Sequence, residues 1–271
     1  MNQSTDAARF GARPDLQRPF PAPAPQAGNG HVSELQGGER NQLLRGLPAA
    51  AFEQLAPHLE PVELEARQVL WEPDTLICAV YFPRTAVASL LTPLSDEAAV
   101  ESATVGYEGM VGAPVVLGAP ATHTKAIAQI AGAAARVDAA RFRDWLWEAE
   151  GALPYFLRYA QAQLEQTAQS VACNRKHELE ERCARWLLAS RDRVGGDRFA
   201  LTHEFLAAML GVRRAGVTVT AGVLQRAGLI TYTRGRVTIL DAERPGQASC
   251  ECYRVVRAQH ERLLGAAAAP A

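Results

Sequence analysis

The stretch Leu210–Ile230, "LGVRRAGVTVTAGVLQRAGLI", decides how the C-terminal part of the chain folds. Gly211 follows an apolar run and suits a tight turn, because glycine adopts a positive φ at no steric cost. Beyond it, Val217, Ala221 and Leu224 recur at helical spacing and predict one buried helix face. The stretch holds three arginines and no acid, which raises the question of what this helix meets.

The residues before this stretch complete a helix-turn-helix pattern. Thr202 is a residue type that caps helices, and the apolar run "HEFLAAML" follows it directly. Ala207 is small where a second helix has to cross closely, and Gly211 comes four residues later. The pair Arg213–Arg214 then stands at the N-terminus of the second helix, the end that enters the major groove of DNA.

The residues after the stretch, "GLITYTRGRVTIL", predict a β-hairpin with a basic tip at Arg234–Arg236. A helix-turn-helix followed by such a hairpin is a winged helix, and the pattern favours DNA binding. The alternative is a winged helix that contacts only protein. The predicted DNA-contacting residues are Thr202, Arg213, Arg214, Val217, Thr218, Gln225, Arg234 and Arg236.

The charge distribution is uneven. The whole chain has a net charge of −1, yet Phe205 to Arg236 contains five arginines and no Asp or Glu, so the remainder is about −6. Local basicity of this kind is typical of a polyanion footprint. Charge alone fits a solvated arginine face equally well.

The rest of the chain divides by texture. Short β-branched runs between about Pro61 and Val137, separated by Pro, Gly and Asp, predict a small all-β sandwich or barrel. A long helical segment follows, with Asp138 as a plausible N-cap. Its part from 153 to 172 carries an apolar stripe, which either packs on the β domain or pairs with a second chain. The predicted dimer contacts are Phe156, Ala160, Leu164 and Val171.

Composition and segments limit the class of protein. Five scattered cysteines fit a reducing cytoplasm better than a disulfide scaffold. The N-terminus lacks the apolar core of a signal peptide, and no run of about 18 apolar residues predicts a membrane span. We therefore expect a cytoplasmic protein without membrane contact.

The order of these segments resembles the Crp/Fnr family of bacterial transcription regulators. The resemblance covers about Leu43 to Leu240 and rests on the motifs "VYFPRTAVASLL", "VGYEGMVGAPVVLGA", "ACNRKHELEERCARWLL", "LTHEFLAAMLGVRR" and "LQRAGLITYTRGRVTILD". It implies an α+β chain with a jelly-roll-like β-roll sensor over 39–150, a dimerisation helix over 151–173 and a winged helix over 174–244. The segment 1–38 is rich in Pro, Gly, Ala and Gln, which predicts a disordered tail, and we expect a C-terminal helix and tail over 245–271. The implied partners are double-stranded DNA, a second copy of the chain, RNA polymerase and an unidentified small-molecule effector.

The chain departs from the family pattern at the effector pocket, which the resemblance places at Gly112, Ala113, His123, Thr124 and Lys125. Members that bind cyclic nucleotides carry Glu where Ala113 stands and Arg where His123 stands. A ribose hydroxyl thus loses its carboxylate and a cyclic phosphate loses its guanidinium, so we expect no cyclic nucleotide. The N-terminal region also lacks the cysteines for an iron–sulfur cluster of the family type.

The recognition helix departs from the family as well. Arg214 matches the arginine that reads a guanine, but Ala215 and Gly216 replace the residues that usually follow it. Direct base reading should therefore be thinner than in the family's founding member.

No enzyme, metal or cofactor is predicted. Cys250 and Cys252 with His260 give a weak metal signal, and Cys173 with His177, four residues apart, lack partners nearby in the sequence. Helical packing accounts better for the segment after Cys250. The motif "HELEER" lacks the second His of a zinc protease, and no nucleophile has an identifiable base.

Overall fold

The computed structural model describes residues 38–94, 99–240 and 248–265. The tail predicted to be disordered, 1–38, lies outside these ranges apart from its last residue. Two short helices open the described part, α1 (Gln42–Arg45) and α2 (Ala49–Leu55), and a 3₁₀ turn follows at Ala56–His58.

Asn41 fastens α1 to the β domain. Its buried side chain accepts hydrogen bonds from the backbone of Leu43 and Leu44, which caps the helix. The same side chain donates from Nδ2 to the carbonyls of Pro83 and Gly109, both at 2.8 Å. All four bonding positions of one amide are thus used inside the protein.

The β domain consists of two packed antiparallel sheets. Its strands are β1 (Glu60–Leu64), β2 (Val69–Trp71), β3 (Ala79–Pro83), β4 (Val87–Pro93), β5 (Ala99–Val105), β6 (Lys125–Ile130) and β7 (Gly132–Asp138), with a short helix α3 (Ala113–Val116) between β5 and β6. One sheet has the order β1-β7-β3 and the other β2-β6-β4-β5. This arrangement confirms the small all-β domain predicted from the spacing of the runs and the β-roll implied by the family resemblance.

An aromatic cluster joins the β-roll to the helices behind it. Helix α4 (Ala139–Glu148) begins at the predicted cap Asp138, whose Oδ1 accepts from the Arg141 N–H, and the long helix is α5 (Ala152–Lys176). Phe82, Phe142 and Phe156 are fully buried, with ring centroids 5.2–6.1 Å apart in edge-to-face contacts. The first half of α5 is therefore part of the core of the β-roll domain.

The C-terminal domain is a winged helix. Its elements are α6 (Leu179–Val194), β8 (Arg198–Ala200), α7 (His203–Leu210), α8 (Arg214–Arg226), β9 (Ile230–Thr233) and β10 (Arg236–Ile239), and the last helix is α9 (Cys252–Leu264). The strands pair in the order β8-β10-β9. Helix α6 begins with a capping box between Glu178 and Glu181.

The two domains share an apolar cluster. Leu91 and Ile127 of the β-roll pack in one group with Trp186, Leu206 and Leu210 of the winged helix. A polar contact accompanies it, since Trp186 Nε1 donates to Glu101 Oε1 at 2.8 Å. The winged helix is thus docked on the β-roll in this structure.

Glu101 at this junction makes folding stability depend on pH. Burial raises the pKa of its carboxyl group, against the opposing effect of hydrogen bonds from Ser89, Thr104 and Trp186. Because the folded pKa lies above the unfolded one, the folded state binds the proton more tightly, and this contribution is lost as pH rises through the folded pKa. We expect Glu101→Gln, which keeps one acceptor oxygen for Trp186 and Thr104 and cannot ionise, to lose less thermal stability than the parent between pH 5 and pH 8.

Thermal unfolding at pH 5 and pH 8 measures this effect, with the exposed Glu63→Gln as the control. If the melting temperature of Glu101→Gln depends on pH in the same way as that of the parent, Glu101 is not the source of the pH dependence.

Within the described ranges, no single helix combines the length and the apolar character needed to cross a membrane; α7 and α8 meet that test only as a pair, bent by 105° at the turn between them.

Candidate nucleic-acid interface

The geometry of the turn between α7 and α8 is that of a helix-turn-helix. The two helices meet at 105°, within the range of such motifs. Gly211 ends α7 with φ +64°, the left-handed conformation that the sequence predicted for it. Thr202 caps α7 as predicted, with its Oγ1 accepting from the Phe205 N–H at 3.2 Å.

The inner face of α8 is the predicted one. Val217, Ala221 and Leu224 are buried, and Thr220 joins them. The prediction that Val217 contacts DNA is therefore wrong, because its side chain is completely buried in the domain core and holds the helix in place instead.

The arginine pair lies at the open end of α8. Arg213 is the N-cap residue and Arg214 the first helical residue, and both side chains are exposed. The first turn contains no acid. The unpaired backbone N–H groups and the two guanidinium groups therefore give this helix end a positive potential. Such a helix end attracts phosphate groups.

One acid nevertheless faces the pair. Glu204 Oε1 lies 3.1 Å from Arg214 Nη1, and the side chains are 61% and 66% exposed. The acid-free stretch counted in the sequence begins one residue later, at Phe205. The sequence therefore suggested that no acid faces the arginine pair, and the structure shows that Glu204 does. The signal was available, because Glu204 occupies the first turn of α7.

We expect Glu204→Gln to strengthen DNA binding. An exposed ion pair contributes about 0.2–1 kcal/mol, so freeing Arg214 should tighten binding by at most about fivefold, mostly at low salt. Fluorescence anisotropy with a DNA duplex measures the change, and Glu53→Gln on α2 controls for net charge. Unchanged or weaker binding relative to that control would show that the pair does not compete with DNA.

Two predicted DNA contacts have structural duties. Thr218 Oγ1 donates to the Arg214 carbonyl at 3.1 Å and lies 3.0 Å from His203 Nδ1. Gln225 Oε1 accepts from the Tyr232 N–H at 2.9 Å, which ties the end of α8 to β9. Both side chains are on the exposed side of the helix, and both position it.

The exposed face of α8 also carries residues that the sequence analysis missed. Val219 is 64% exposed, and Ala215 and Val223 lie on the same side at helical spacing. Small apolar side chains can contact the methyl group of thymine in the major groove. The sequence contains a signal for them: Ala215, Val219 and Val223 follow one another at intervals of four residues, so they share a helix face that differs from the face of the buried Val217.

The wing is the predicted hairpin, and its strands are joined by a two-residue turn. Arg234 and Gly235 both have positive φ, +47° and +74°, as a type I′ hairpin requires, and Thr233 pairs with Arg236. Both arginines are exposed. The Gly235 carbonyl accepts from the Leu201 N–H at 2.8 Å, which holds the wing tip beside the start of α7.

The predicted effector residues are paired with other groups. Gly112 has φ +132°, and a Cβ there would come within 2.9 Å of the Val80 side chain, which explains the glycine. Ala113 is buried at the start of α3.

The other predicted effector residues have polar partners. His123 Nδ1 lies 3.0 Å from Asp74 Oδ2, and Lys125 Nζ lies 2.9 Å from Glu72 Oε1. The backbone carbonyl of Thr124 accepts from Trp71 Nε1. These residues remain a predicted pocket.

We expect cyclic AMP and cyclic GMP neither to bind tightly nor to enhance DNA binding. His123 and Lys125, the basic side chains at the predicted phosphate position, already contact carboxylates, and Ala113 offers no acceptor to a ribose. Isothermal titration calorimetry checks the prediction. The double variant Ala113→Glu/His123→Arg is the positive comparison, and micromolar affinity of the parent for either nucleotide would contradict it.

A cavity of about 570 Å³ lies elsewhere, at the junction of β5, α5, α6 and α9. Its wall includes Glu101, Glu108, Arg193 and Tyr253. Arg193 Nε and Glu108 Oε1 form a mostly buried ion pair at 2.6 Å across the junction. The volume is in the range of small-molecule sites.

The stripe on α5 divides into two parts. Phe156 and Ala160 are buried in the chain's own core, so the prediction that they form a dimer contact is wrong. Leu164 and Val171 are 57% and 66% exposed, one heptad apart. Leu157, a further seven residues towards the N-terminus, is partly buried against the core, so the three residues form an apolar stripe that becomes exposed towards the C-terminal half of the helix.

Fold and site together define a β-roll joined by a long helix to a winged helix. Residues 181–244 match the family described as the Crp-like helix-turn-helix domain. No curated protein sequence matches the chain.

Solved structures of transcription regulators share the architecture. FixK2 from Bradyrhizobium japonicum is 16% identical, with a TM-score of 0.61 over 71% of this chain and 98% of its own. The c-di-GMP-responsive global regulator CLP of Xanthomonas campestris is 15% identical, with a TM-score of 0.57 over 72% and 100%. A CRP-family regulator from Thermus thermophilus is 19% identical, with a TM-score of 0.57 over 70% and 99%.

The chain therefore has the fold of Crp/Fnr-type transcription regulators and carries a Crp-like helix-turn-helix domain. This confirms the resemblance identified from its sequence.

Proposed function

We propose that the protein is a transcription regulator of Crp/Fnr type that binds double-stranded DNA through α8 and the wing. The observation that carries the proposal is the exposed pair Arg213–Arg214 at the N-terminus of α8, the end that enters the major groove in this class of motif. The wing adds Arg234 and Arg236, and its tip is held beside the start of the helix-turn-helix.

The protein acts as a homodimer on a pseudo-palindromic operator. The apolar stripe Leu157, Leu164 and Val171 supports this part, because its seven-residue spacing fits a parallel coiled coil with a second α5. Two-fold symmetry then presents two α8 helices to half-sites about one helical turn apart. The β-roll serves as the sensor for an effector that is still to be identified.

A gel-shift experiment with genomic fragments at 50 mM and 200 mM salt tests the proposal. A protein with six to ten phosphate contacts loses about 10³-fold or more in affinity over this range. The variant Arg213→Ala/Arg234→Ala/Arg236→Ala is the control, and its binding should depend less on salt. Failure to bind any fragment at 50 mM salt would overturn the proposal.

The exposed Val219 and Val223 favour a second candidate function, in which the winged helix contacts a protein. An apolar helix face suits a protein groove. This candidate predicts no DNA binding and an interaction that is abolished by Val219→Asp but survives high salt. The same salt series therefore separates the two.

A further inference from the structure

Two pairs of residues that are far apart in the sequence meet at the end of α5. Cys173 and His177 come from the last turn and the C-cap of α5, and Cys250 and Cys252 come from the start of α9. The three thiols and one imidazole nitrogen all lie within 4.8 Å of one another. Each pair alone gave a weak signal, because sequence spacing does not show that α9 packs against α5.

The spacing of the four atoms suits one tetrahedral ion. Cys173 Sγ lies 3.5 Å from Cys250 Sγ, and Cys252 Sγ lies 3.6 Å from His177 Nδ1. Zinc bonds of about 2.3 Å to sulfur and about 2.0 Å to nitrogen place tetrahedral ligands roughly 3.5–3.8 Å apart. A disulfide would need about 2.05 Å between the sulfurs, so the observed contacts are those of free thiols.

The surroundings provide the outer shell of a metal site. His177 Nε2 lies 3.2 Å from Glu251 Oε2, the carboxylate–histidine arrangement that directs the other ring nitrogen at a metal. Gln169 Nε2 donates to Cys252 Sγ at 3.0 Å. Arg182 and Arg185 are close enough to interact electrostatically with Cys173. Zinc with three thiolates and one imidazole carries a charge of −1, which these arginines would balance.

Burial indicates a structural rather than a catalytic site. The three cysteines are at most 3% exposed, and His177 is half-buried. Four protein ligands also fill a tetrahedral ion completely, so no position is left for a substrate. We propose that Cys173, His177, Cys250 and Cys252 bind one zinc ion, which fastens the start of α9 to the connection between α5 and α6.

The consequence is a fixed hinge. His177 lies two residues before the start of α6, in the short connection between the long helix and the winged helix. An ion bound there would hold the segment 250–252 against this connection. Binding to the folded chain alone would stabilise it, in proportion to the zinc affinity.

The test uses the untagged full chain, purified with a reductant and freed of metal by a chelator. We expect the wild type to take up one zinc ion per chain, to give with Co²⁺ the visible absorption of a tetrahedral thiolate complex, and to melt at a higher temperature with zinc. Cys252→Ser and His177→Ala should lower zinc affinity by more than about 100-fold, since even the loss of outer-shell partners costs about 10–100-fold. The exposed Cys78→Ser is the matched control and should bind like the wild type.

Two readouts do not depend on the folding of the ligand variants. The wild-type Co²⁺ spectrum is one, and Glu251→Gln is the other, because Glu251 is exposed and its loss should weaken zinc binding by about 10–100-fold. The proposal is overturned if the reduced wild type binds neither zinc nor Co²⁺. It is overturned equally if the purified chain carries iron with sulfide, or if Cys173 and Cys250 form a disulfide that zinc does not prevent.

Discussion

Arg214→Ala is expected to erase the preference for one base pair in the operator. A bidentate contact from arginine to guanine O6 and N7 contributes about 1–3 kcal/mol of discrimination, so roughly 5- to 150-fold in preference should disappear at that position. Arg214 is the first residue of α8 and exposed, and its ion pair with Glu204 breaks at little cost. Selection from a randomised operator library, read for each variant, measures the effect.

The matched variants are Arg213→Ala, Arg234→Ala and Arg236→Ala. We expect each to weaken binding to all sequences alike and to lower the salt slope by about one, as for a lost phosphate contact. If Arg214→Ala keeps the parent's base preference at every position, the arginine does not read a base. Sequence would then be recognised through other residues, such as Val219, or through the shape of the DNA.

Leu164→Glu is expected to dissociate the dimer. Leu164 is 57% exposed on the outer face of α5, in the middle of the apolar stripe proposed as the dimer seam. In a two-fold seam the variant places two uncompensated carboxylates together, at a cost of about 3–5 kcal/mol, which corresponds to roughly 150- to 5000-fold in the dissociation constant. Sedimentation velocity at micromolar concentration measures it.

Leu117→Glu is the control, because Leu117 is similarly exposed, at 56%, and lies outside α5. This variant should remain dimeric and bind DNA like the parent. A Leu164→Glu protein that stays dimeric would place the interface elsewhere. A parent that is monomeric and still binds its operator with full affinity would remove the dimer from the proposed function.

The winged helix could be predicted almost completely from the sequence, because local rules determine it. The cap at Thr202, the positive φ of Gly211 and the turn at Arg234–Gly235 each follow from the preferences of one or two residues. The buried face of α8 follows from its helical period, which also shows why Val217 should not have been included among the DNA contacts.

Features that depend on contacts distant in sequence could not be predicted in the same way. The apolar stripe on α5 continues along the helix, yet Phe156 and Ala160 are buried while Leu164 and Val171 are exposed. Which part of the stripe is buried depends on which other elements pack against α5, and the helical period does not show this. The ion pair of Glu204 with Arg214 depends similarly on the 105° angle between the helices.

Helix α5 is continuous, so it can transmit a rotation from one end to the other as a rigid rod. Phe156 packs among the aromatic rings of the β-roll domain, and Val171 lies fifteen residues further on, roughly 22 Å along the axis at 1.5 Å per residue. The interval contains no proline and, within α5, no break in the helix. A few degrees of rotation imposed at the rings would therefore reach the far end of the helix nearly undiminished, at the residues of the proposed dimer seam.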